Sequence, residues 1–224
     1  MTDVVYAAGQ FDLVERNIKP FETWVNPFNT QRAEQFVMLS DERGGFICAH
    51  RGLNEYEILQ DGKNTMALTL LRSVGEIGDW GDFPTPKAQC IGKYTLEYAL
   101  IPFSAETKEA AVSSAYVFAS NALSAVDTGK HTGSVPAENV LVTLSDPMLR
   151  HAALKRAEDG DGLVLRLYNI DDAARTASMT FAPAVKAVLA SELDERVGEA
   201  LSMDNGAVTV TVPAKKIVTY RLTL

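Results

Sequence analysis

The sequence predicts an all-β protein built from antiparallel sandwiches. Apolar and polar residues alternate with the two-residue period of a strand in most apolar segments. Turn signals such as Asp61-Gly62 separate these segments. The C-terminal third contains successive strand patterns without the crossover helices that a parallel sheet requires. These three observations favour sheets that pack face to face.

The first half of the chain contains several strand patterns. Phe11 and Leu13 alternate with polar residues in "QFDLVER", and a turn at 41–45 separates "FVMLSD" from "GGFICAHRG". "YEILQDGKNTMALTLL" is typical of a hairpin, because Asp-Gly is a strong turn dipeptide. "KYTLEYALIPF" predicts a strand that ends at Pro102, with alternate positions taken by Tyr94, Leu96, Tyr98 and Leu100.

Residues 75–90, "GEIGDWGDFPTPKAQC", form an unusual polar segment between two runs that are typical of buried strands, "MALTLLRSV" and "GKYTLEYALIPF". Its acids, prolines, glycines and tryptophan disfavour both helix and strand. A long loop that carries Trp80 is either a binding loop or a plain connection.

Residues 104–123 support a short helix and an extended stretch equally. Ser104 is a suitable helix cap with Glu106 and Glu109 in the first turns. A helical spacing follows at Val112, Ala115, Ala119 and Leu123.

A Ser/Thr/Gly/Pro-rich segment at 126–137 is the best linker candidate. We therefore predict a β-sandwich domain over 1–125 and a smaller β-sandwich over 138–224. The second domain is predicted to contain the strands "GLVLRLYN", "ASMTFAP", "VKAVLASEL", "GAVTVTVP" and "KIVTYRLTL". In the last strand, the inward positions are predicted to be Val218, Tyr220, Leu222 and Leu224.

Composition excludes several classes of protein. The formal net charge of the 224 residues is −8 and no basic patch is present, so we expect no nucleic-acid partner. The N-terminus shows no signal-peptide pattern and no apolar run reaches the length of a membrane span. We expect a cytoplasmic protein without a membrane partner, in which Cys48 and Cys90 are buried, reduced thiols.

No complete catalytic signature is present. None of the three histidines, His50, His131 and His151, pairs with another at metal-ligand spacing, so we expect no metal site in this chain. "EDGDG" at 158–162 weakly resembles a calcium loop but lacks the later ligands, which favours a tight turn. Glycosidic chemistry needs two flanking carboxylates, and sequence spacing does not establish such a pair.

Four segments in order resemble the C-terminal region of α-mannosidases of glycoside hydrolase family 38. They are "FDLVERNIKP", "GGFICAHRGLNEYEI", "TMALTLLRSVGEIGDWGDFPTPKAQCIGKYTLEYALIPF" and "LKRAEDGDGLVLRLYN". The resemblance implies part of a mutarotase-like supersandwich followed by the family's last β-sandwich. It also implies that the zinc ion, its histidine and aspartate ligands and the nucleophilic aspartate belong to an N-terminal catalytic domain that is absent here.

The resemblance therefore implies a non-catalytic fragment of a retaining, metal-dependent α-mannosidase. Loops of the family's β region approach the sugar site, so Asp79, Trp80, Asp82 and Arg51 are candidate contacts to an α-mannoside. The favoured alternatives are that Trp80 packs on the catalytic domain or on nearby strands, and that Arg51 forms a surface salt bridge with Glu55 or Glu57. Arg72 interrupts an apolar run, which predicts a structural carboxylate partner.

Two further functions remain open. A free-standing carbohydrate-binding module needs exposed aromatics on one face, whereas aromatic content is only 8%. A complete small enzyme would need the signature that is missing. Apolar surface that faces the missing domain favours a homo-oligomer. The linkage cleaved by the longer enzyme is not encoded in any motif of this chain.

Overall fold

A computed structural model describes residues 2, 4–19, 29–77, 83–120, 124–130, 132–133, 136 and 138–224. The chain divides into two compact units, one of Met1–Gly9 with Val14–Ser120 and one of Gln10–Leu13 with Asn121–Leu224. The predicted domain bounds and linker stay predictions. Strands dominate and pair antiparallel, which confirms the all-β sandwich class. Within the described residues, no helix is long and apolar enough to cross a membrane.

The first half of the chain contains a mixed set of long and very short strands. They are β1 Val4–Gly9, β2 Asp12–Asn17, β3 Gln31–Arg32, β4 Phe36–Ser40, β5 Gly44–Arg51, β6 Glu55–Ile58, β7 Met66–Leu68, β8 Glu76–Ile77, β9 Phe83–Pro84 and β10 Glu97–Ser104. A five-stranded sheet has the order β10-β5-β4-β1-β2, a three-stranded sheet the order β3-β6-β7, and β8 pairs with β9. The predicted strand–turn–strand of 36–52 and the hairpin at Asp61-Gly62 are confirmed.

The small sheet packs on one face of the five-stranded sheet. Val37 and Leu39 of β4 share a buried cluster with Tyr56 and Ile58 of β6, and all four are at most 5% exposed. Helix α1, Lys108–Ala119, contacts the opposite face. Its Tyr116 ring meets Phe36 edge-on, with the centroids 5.1 Å apart. Strand β4 is therefore buried from both sides.

Helix α1 settles the choice left open for residues 104–123. The Ser104 backbone N–H donates to the Thr107 Oγ1 over 2.9 Å, and a 3₁₀ turn, Ala105–Thr107, leads into the helix. Val112 and Ala115 are fully buried, as the helical spacing predicts. The predicted Leu123 position lies outside the described residues.

Strand β10 runs through Pro102 to Ser104, so the prediction that it ends at Pro102 is wrong. The register pairs Ala99 with Ala49 and Pro102 with Phe46. The His50 N–H donates to Gln35 on the β4 side, so even-numbered β5 residues direct their backbone groups towards β4. By alternation, Pro102 directs its nitrogen away from β5 at the sheet edge, where proline removes no ladder bond.

The sequence predicts no regular structure for residues 75–90, but the described part of this segment contains a short strand pair and a 3₁₀ turn. Glu76 pairs with Pro84 and Ile77 with Phe83, and a 3₁₀ turn spans Pro86–Gln89. The flanking runs are also less buried than predicted. Strand β7 ends at Leu68, and several large apolar residues on either side of 75–90 are between 36% and 65% exposed, namely Leu70, Leu71, Tyr94, Leu96, Tyr98 and Leu100.

The second unit is a two-sheet sandwich. Its strands are β11 Val142–Leu144, β12 Leu149–Arg156, β13 Leu163–Asn169, β14 Arg175–Phe181, β15 Ala187–Ser191, β16 Val197–Ala200, β17 Ala207–Val212 and β18 Ile217–Thr223. One sheet has the order β11-β14-β17 and the other β12-β13-β18-β15-β16. Their inward side chains, such as Leu167, Met179 and Val210, form one core.

All five strands predicted in this region are present, as β13, β14, β15, β17 and β18. The sequence interpretation missed β11, β12 and β16. Val208, Val210 and Val212 are buried as their alternation predicts. Leu224 is 56% exposed, so its predicted inward position is wrong, because β18 ends at Thr223.

The turn before β13 depends on a glycine. Gly162 has a φ of +76°, and a Cβ at this position would lie 2.3 Å from the Leu222 carbonyl oxygen. Gly162→Ala should lower the free energy of unfolding by about 2 kcal/mol, since it adds both backbone strain and overpacking. Urea unfolding followed by circular dichroism measures this loss. The control is Gly133→Ala, where a Cβ meets no atom within 4 Å, and equal losses in both variants would contradict the assignment.

His50 makes stability depend on pH. Its ring is 1% exposed, neither ring nitrogen has a partner among the described residues, and burial lowers its pKa from 6.5 to about 4. Between pH 6.5 and about 4, His50 is therefore protonated in the unfolded chain but neutral in the folded chain. The contribution of His50 is complete above pH 6.5 and is lost as the pH falls towards 4.

We expect a loss of about 3 kcal/mol across this pH window. Urea midpoints at several pH values should fall more steeply for the wild type than for His50→Leu, which cannot titrate. Parallel curves for the two proteins would show that His50 is not the group responsible.

Candidate functional site

A groove of about 580 Å³ opens beside the small sheet of the first unit. Three separate stretches of chain line it, from the start of β3, the β5–β6 turn and the segment after β7. The lining residues are Thr30, Gln31, Arg32, Gly52, Leu53, Asn54, Glu55, Thr69, Leu70, Leu71 and Arg72. Its walls combine hydrogen-bonding groups with two exposed leucines.

Glu55 is the centre of the polar wall. Its carboxylate accepts hydrogen bonds from the Thr69 hydroxyl at 2.9 Å and from Arg72 at 2.7 Å. The Thr69 N–H also donates to the Glu55 carbonyl oxygen, which extends the β6–β7 pairing by one bond. The hairpin therefore fixes the spacing of Glu55 and Thr69, and the ion pair brings Arg72 to the groove.

The described lining of the groove has the groups to bind a polyol and contains a single carboxylate. Glu55 is the sole carboxylate among the lining residues, and Arg72 and Thr69 already bind it. Glycoside hydrolysis ordinarily uses two carboxyl groups on opposite sides of the scissile bond. The Arg72 side chain is 64% exposed, so it retains donors for a ligand.

Sequence reasoning found part of this site. The carboxylate partner predicted for Arg72 is Glu55, although Arg72 is exposed and not partly buried. Asn54 and Thr69 were missed, because neither belongs to a motif. The signal for Thr69 is its place directly after the "MAL" strand of a predicted hairpin, which aligns it with Glu55.

Arg51, a predicted sugar contact, holds the end of helix α1. Its Nε donates to the Phe118 carbonyl oxygen at 2.9 Å, and its guanidinium lies 4.8 Å from the centre of the Phe118 ring. It forms its salt bridge with Glu97 at 3.0 Å and not with Glu55 or Glu57. Arg51 adjoins the groove residue Gly52 in sequence, and its role in ligand binding stays a prediction.

The other three predicted contacts, Asp79, Trp80 and Asp82, lie outside the described residues. What the structure gives is the origin of their loop. It leaves the groove wall only a few residues after Arg72, and the described ends of the loop pair through Ile77 and Phe83.

The "EDGDG" segment is a turn, as predicted. Asp159 accepts two hydrogen bonds of 3.0 Å from the buried Arg221, and the backbone N–H of Asp161 and the Arg221 guanidinium lower the pKa of its carboxyl group. Across the described part of the chain, no three His, Cys, Asp or Glu side chains converge as metal ligands. The described residues therefore do not form a site that fits zinc.

Cys48 is buried and Cys90 only partly buried, and both are free thiols. The described residues thus form a β-sandwich region whose groove carries hydrogen-bonding groups and one lining carboxylate, Glu55.

Comparison with known proteins agrees with this class. Residues 150–220 match the model of the glycosyl hydrolases family 38 C-terminal beta sandwich domain. A candidate mannosylglycerate hydrolase of Halalkalibacterium halodurans is 32% identical over 216 residues, which are 96% of this chain and 23% of that protein.

Two solved structures share the fold. An α-mannosidase from Enterococcus faecalis V583 superimposes with a TM-score of 0.81 at 32% identity, and a family 38 protein from Enterococcus faecalis with 0.78 at 31%. Each match covers 98% of this chain but only 24% and 25% of the respective structure. Residues 150–220 thus match the C-terminal domain of family 38 glycosyl hydrolases, and almost the whole chain is similar to family 38 relatives. The chain spans about a quarter of the length of these relatives.

The contacts of Arg51 predict a structural effect of its removal. Arg51→Ala should lower the free energy of unfolding by about 1 kcal/mol, because it leaves the Phe118 carbonyl unpaired and uncovers the Phe118 ring. Hydrogen exchange should speed up in the last turn of α1.

The matched control is Arg43→Ala, which removes an exposed ion pair with Asp41 and should change stability by less than about 0.5 kcal/mol. Unchanged exchange in α1 on loss of Arg51 would show that its helix contacts do not hold the end of α1.

Proposed function

We propose that this chain is the non-catalytic C-terminal β portion of a cytoplasmic α-mannosidase, which packs on a catalytic domain supplied by a longer polypeptide. The observation that carries this proposal is the coverage. The chain matches its relatives almost from end to end, yet they are about four times longer. The family model that it matches describes a C-terminal domain.

The groove supports a role outside the chemical step. The one carboxylate among its described residues, Glu55, already binds Arg72 and Thr69. Zinc and the nucleophile of a retaining mechanism would then belong to the catalytic domain, with no ligand to the metal from the described residues of this chain.

The same groove is suited to line one side of a sugar site. Arg72 is an exposed donor and Asn54 a neutral amide, and both suit sugar hydroxyls. The 75–90 loop starts at this wall, and an aromatic ring such as Trp80 can stack on the apolar face of a sugar. Asp79 and Asp82 beside it are acceptors for hydroxyl groups, and Arg51 is the remaining candidate contact.

The substrate class follows from the relatives. One is described as an α-mannosidase and another as a candidate mannosylglycerate hydrolase. For this chain we therefore propose an α-mannoside.

Assay and titration of the isolated chain test the proposal. We expect no turnover of p-nitrophenyl α-mannoside with or without added zinc. Turnover that depends on zinc would overturn the proposal, because it would require an active site within this chain.

For sugar contact, the indole N–H signals of Trp24 and Trp80, the two tryptophans of the sequence, provide an internal comparison. α-Linked mannobiose should shift the signal that is lost in Trp80→Phe and leave the one that is lost in Trp24→Phe. Shifts of neither signal would remove the loop from the sugar site. Micromolar binding by the chain alone would favour a free-standing carbohydrate-binding module instead.

A further inference from the structure

The small sheet covers the first strands of the five-stranded sheet but leaves β10 exposed. On the face that packs against the small sheet, the register aligns Ala7, Val37, Cys48 and Leu100 in one row across β1, β4, β5 and β10. Their exposed fractions are 0%, 0%, 5% and 65%. The core is therefore continuous across three strands and open at the fourth.

The exposed face of β10 is apolar. Tyr98 beside Leu100 is 56% exposed, and the segment leading into the strand adds Tyr94 at 50% and Ile91 at 96%. We name Ile91, Tyr94, Leu96, Tyr98 and Leu100 the β10 stripe. Contiguous apolar surface of this kind marks a contact with another protein segment.

The outer backbone edge of β10 also lacks a neighbouring strand. Strand β10 is an edge strand with β5 as its single neighbour in the sheet. Since Ala99 and Ile101 direct their backbone groups towards β5, Tyr98 and Leu100 direct theirs outwards. Their outward N–H and C=O groups have no backbone partner among the described residues. Tyr98 and Leu100 therefore offer outward N–H and C=O groups for strand addition, and such pairing would stop at Pro102, which has no N–H.

A buried histidine that is unpaired among the described residues, His50, lies next to the uncovered face of β10. It pairs with Tyr98 across the β5–β10 ladder and is 1% exposed, yet neither ring nitrogen has a partner in the described structure. Buried polar groups are nearly always hydrogen-bonded in complete structures. Both ring nitrogens are shielded from solvent in this structure, so His50 borders the uncovered face without opening onto it.

We propose that β10 accepts an additional strand from the region that precedes this part in the longer protein, and that this region covers the β10 stripe. The inference rests on the proposed function, because it takes its occupant from the three quarters of the relatives that lie outside the match. The occupant is an extended segment with apolar side chains on the face towards Tyr98 and Leu100.

The test is a fusion in which this chain replaces the matching quarter of the Enterococcus faecalis α-mannosidase. In the isolated chain, the Tyr98 and Leu100 amides should exchange rapidly and those of Ala99 and Ile101 slowly. In the fusion, exchange at Tyr98 and Leu100 should slow by at least 100-fold. Hydrogen exchange with residue-resolved mass spectrometry measures this change.

Variants of the fusion distinguish an effect on the contact at β10 from a general effect of a surface substitution. Leu100→Lys should reduce mannosidase activity or resistance to proteolysis at least tenfold, whereas the control Val117→Lys, at a 68% exposed position on α1, should change neither. Both chains should fold in isolation, because both side chains are exposed. Leu100→Thr, which keeps strand propensity, is the second variant if Leu100→Lys does not fold.

The outcomes distinguish the two proposals. An active fusion with rapid exchange at Tyr98 and Leu100, and with Leu100→Lys as active as Val117→Lys, would overturn the strand addition and leave the proposed function intact. A fusion without activity, beside a fully active parent enzyme, would count against the proposed function, and the strand addition would fall with it.

Discussion

The burial of β4 from both sides is the constraint on which the first unit depends. Phe36, Val37, Met38 and Leu39 are each at most 5% exposed, so neither face of this strand meets water. Successive side chains point to opposite faces, which requires two separate covering layers. Helix α1 supplies one and the β3-β6-β7 sheet the other. The groove is a consequence, because it forms where the hairpin of the covering sheet meets the turns around it.

The second unit was the more predictable part because buried and more exposed residues alternate along β14 and β17 in its three-stranded sheet. Alternation in "AVTVTV" then reports burial directly, and the predicted strands match those observed. The β10 segment shows equally good alternation, but the period alone does not say which set faces the core. The covered set is that of Ala99, Ile101 and Phe103, beside α1, and the larger Tyr98 and Leu100 face outwards. Which set is buried depends on how far helix α1 and the small sheet each extend across β10.

The candidate site was less predictable, because its residues come together through the fold. Arg51 meets a carbonyl 67 positions away, at Phe118, while the nearer Glu55 belongs to Arg72. The face on which each side chain lies explains why Arg51 pairs with the Phe118 carbonyl and Glu55 pairs with Arg72. Arg51 lies on the helix face of β5, as Ala49 does, whereas Glu55 lies past the turn in the other sheet. A sequence can predict that an arginine in an apolar run needs a carboxylate, and it leaves the choice among nearby carboxylates to the packing.

The same packing places Glu55 beside hydrogen-bond donors, and no second carboxylate lies among the described groove residues. A general acid needs a carboxyl group that holds its proton near neutral pH, which burial or a second carboxylate provides. Glu55 instead accepts hydrogen bonds from the Arg72 guanidinium and the Thr69 hydroxyl. Its surroundings favour a fixed acceptor that orients Arg72. A wall built in this way can improve catalysis only by holding a substrate against reactive groups that another layer carries. Closing the β10 edge with a strand from that layer would fix the wall relative to those groups.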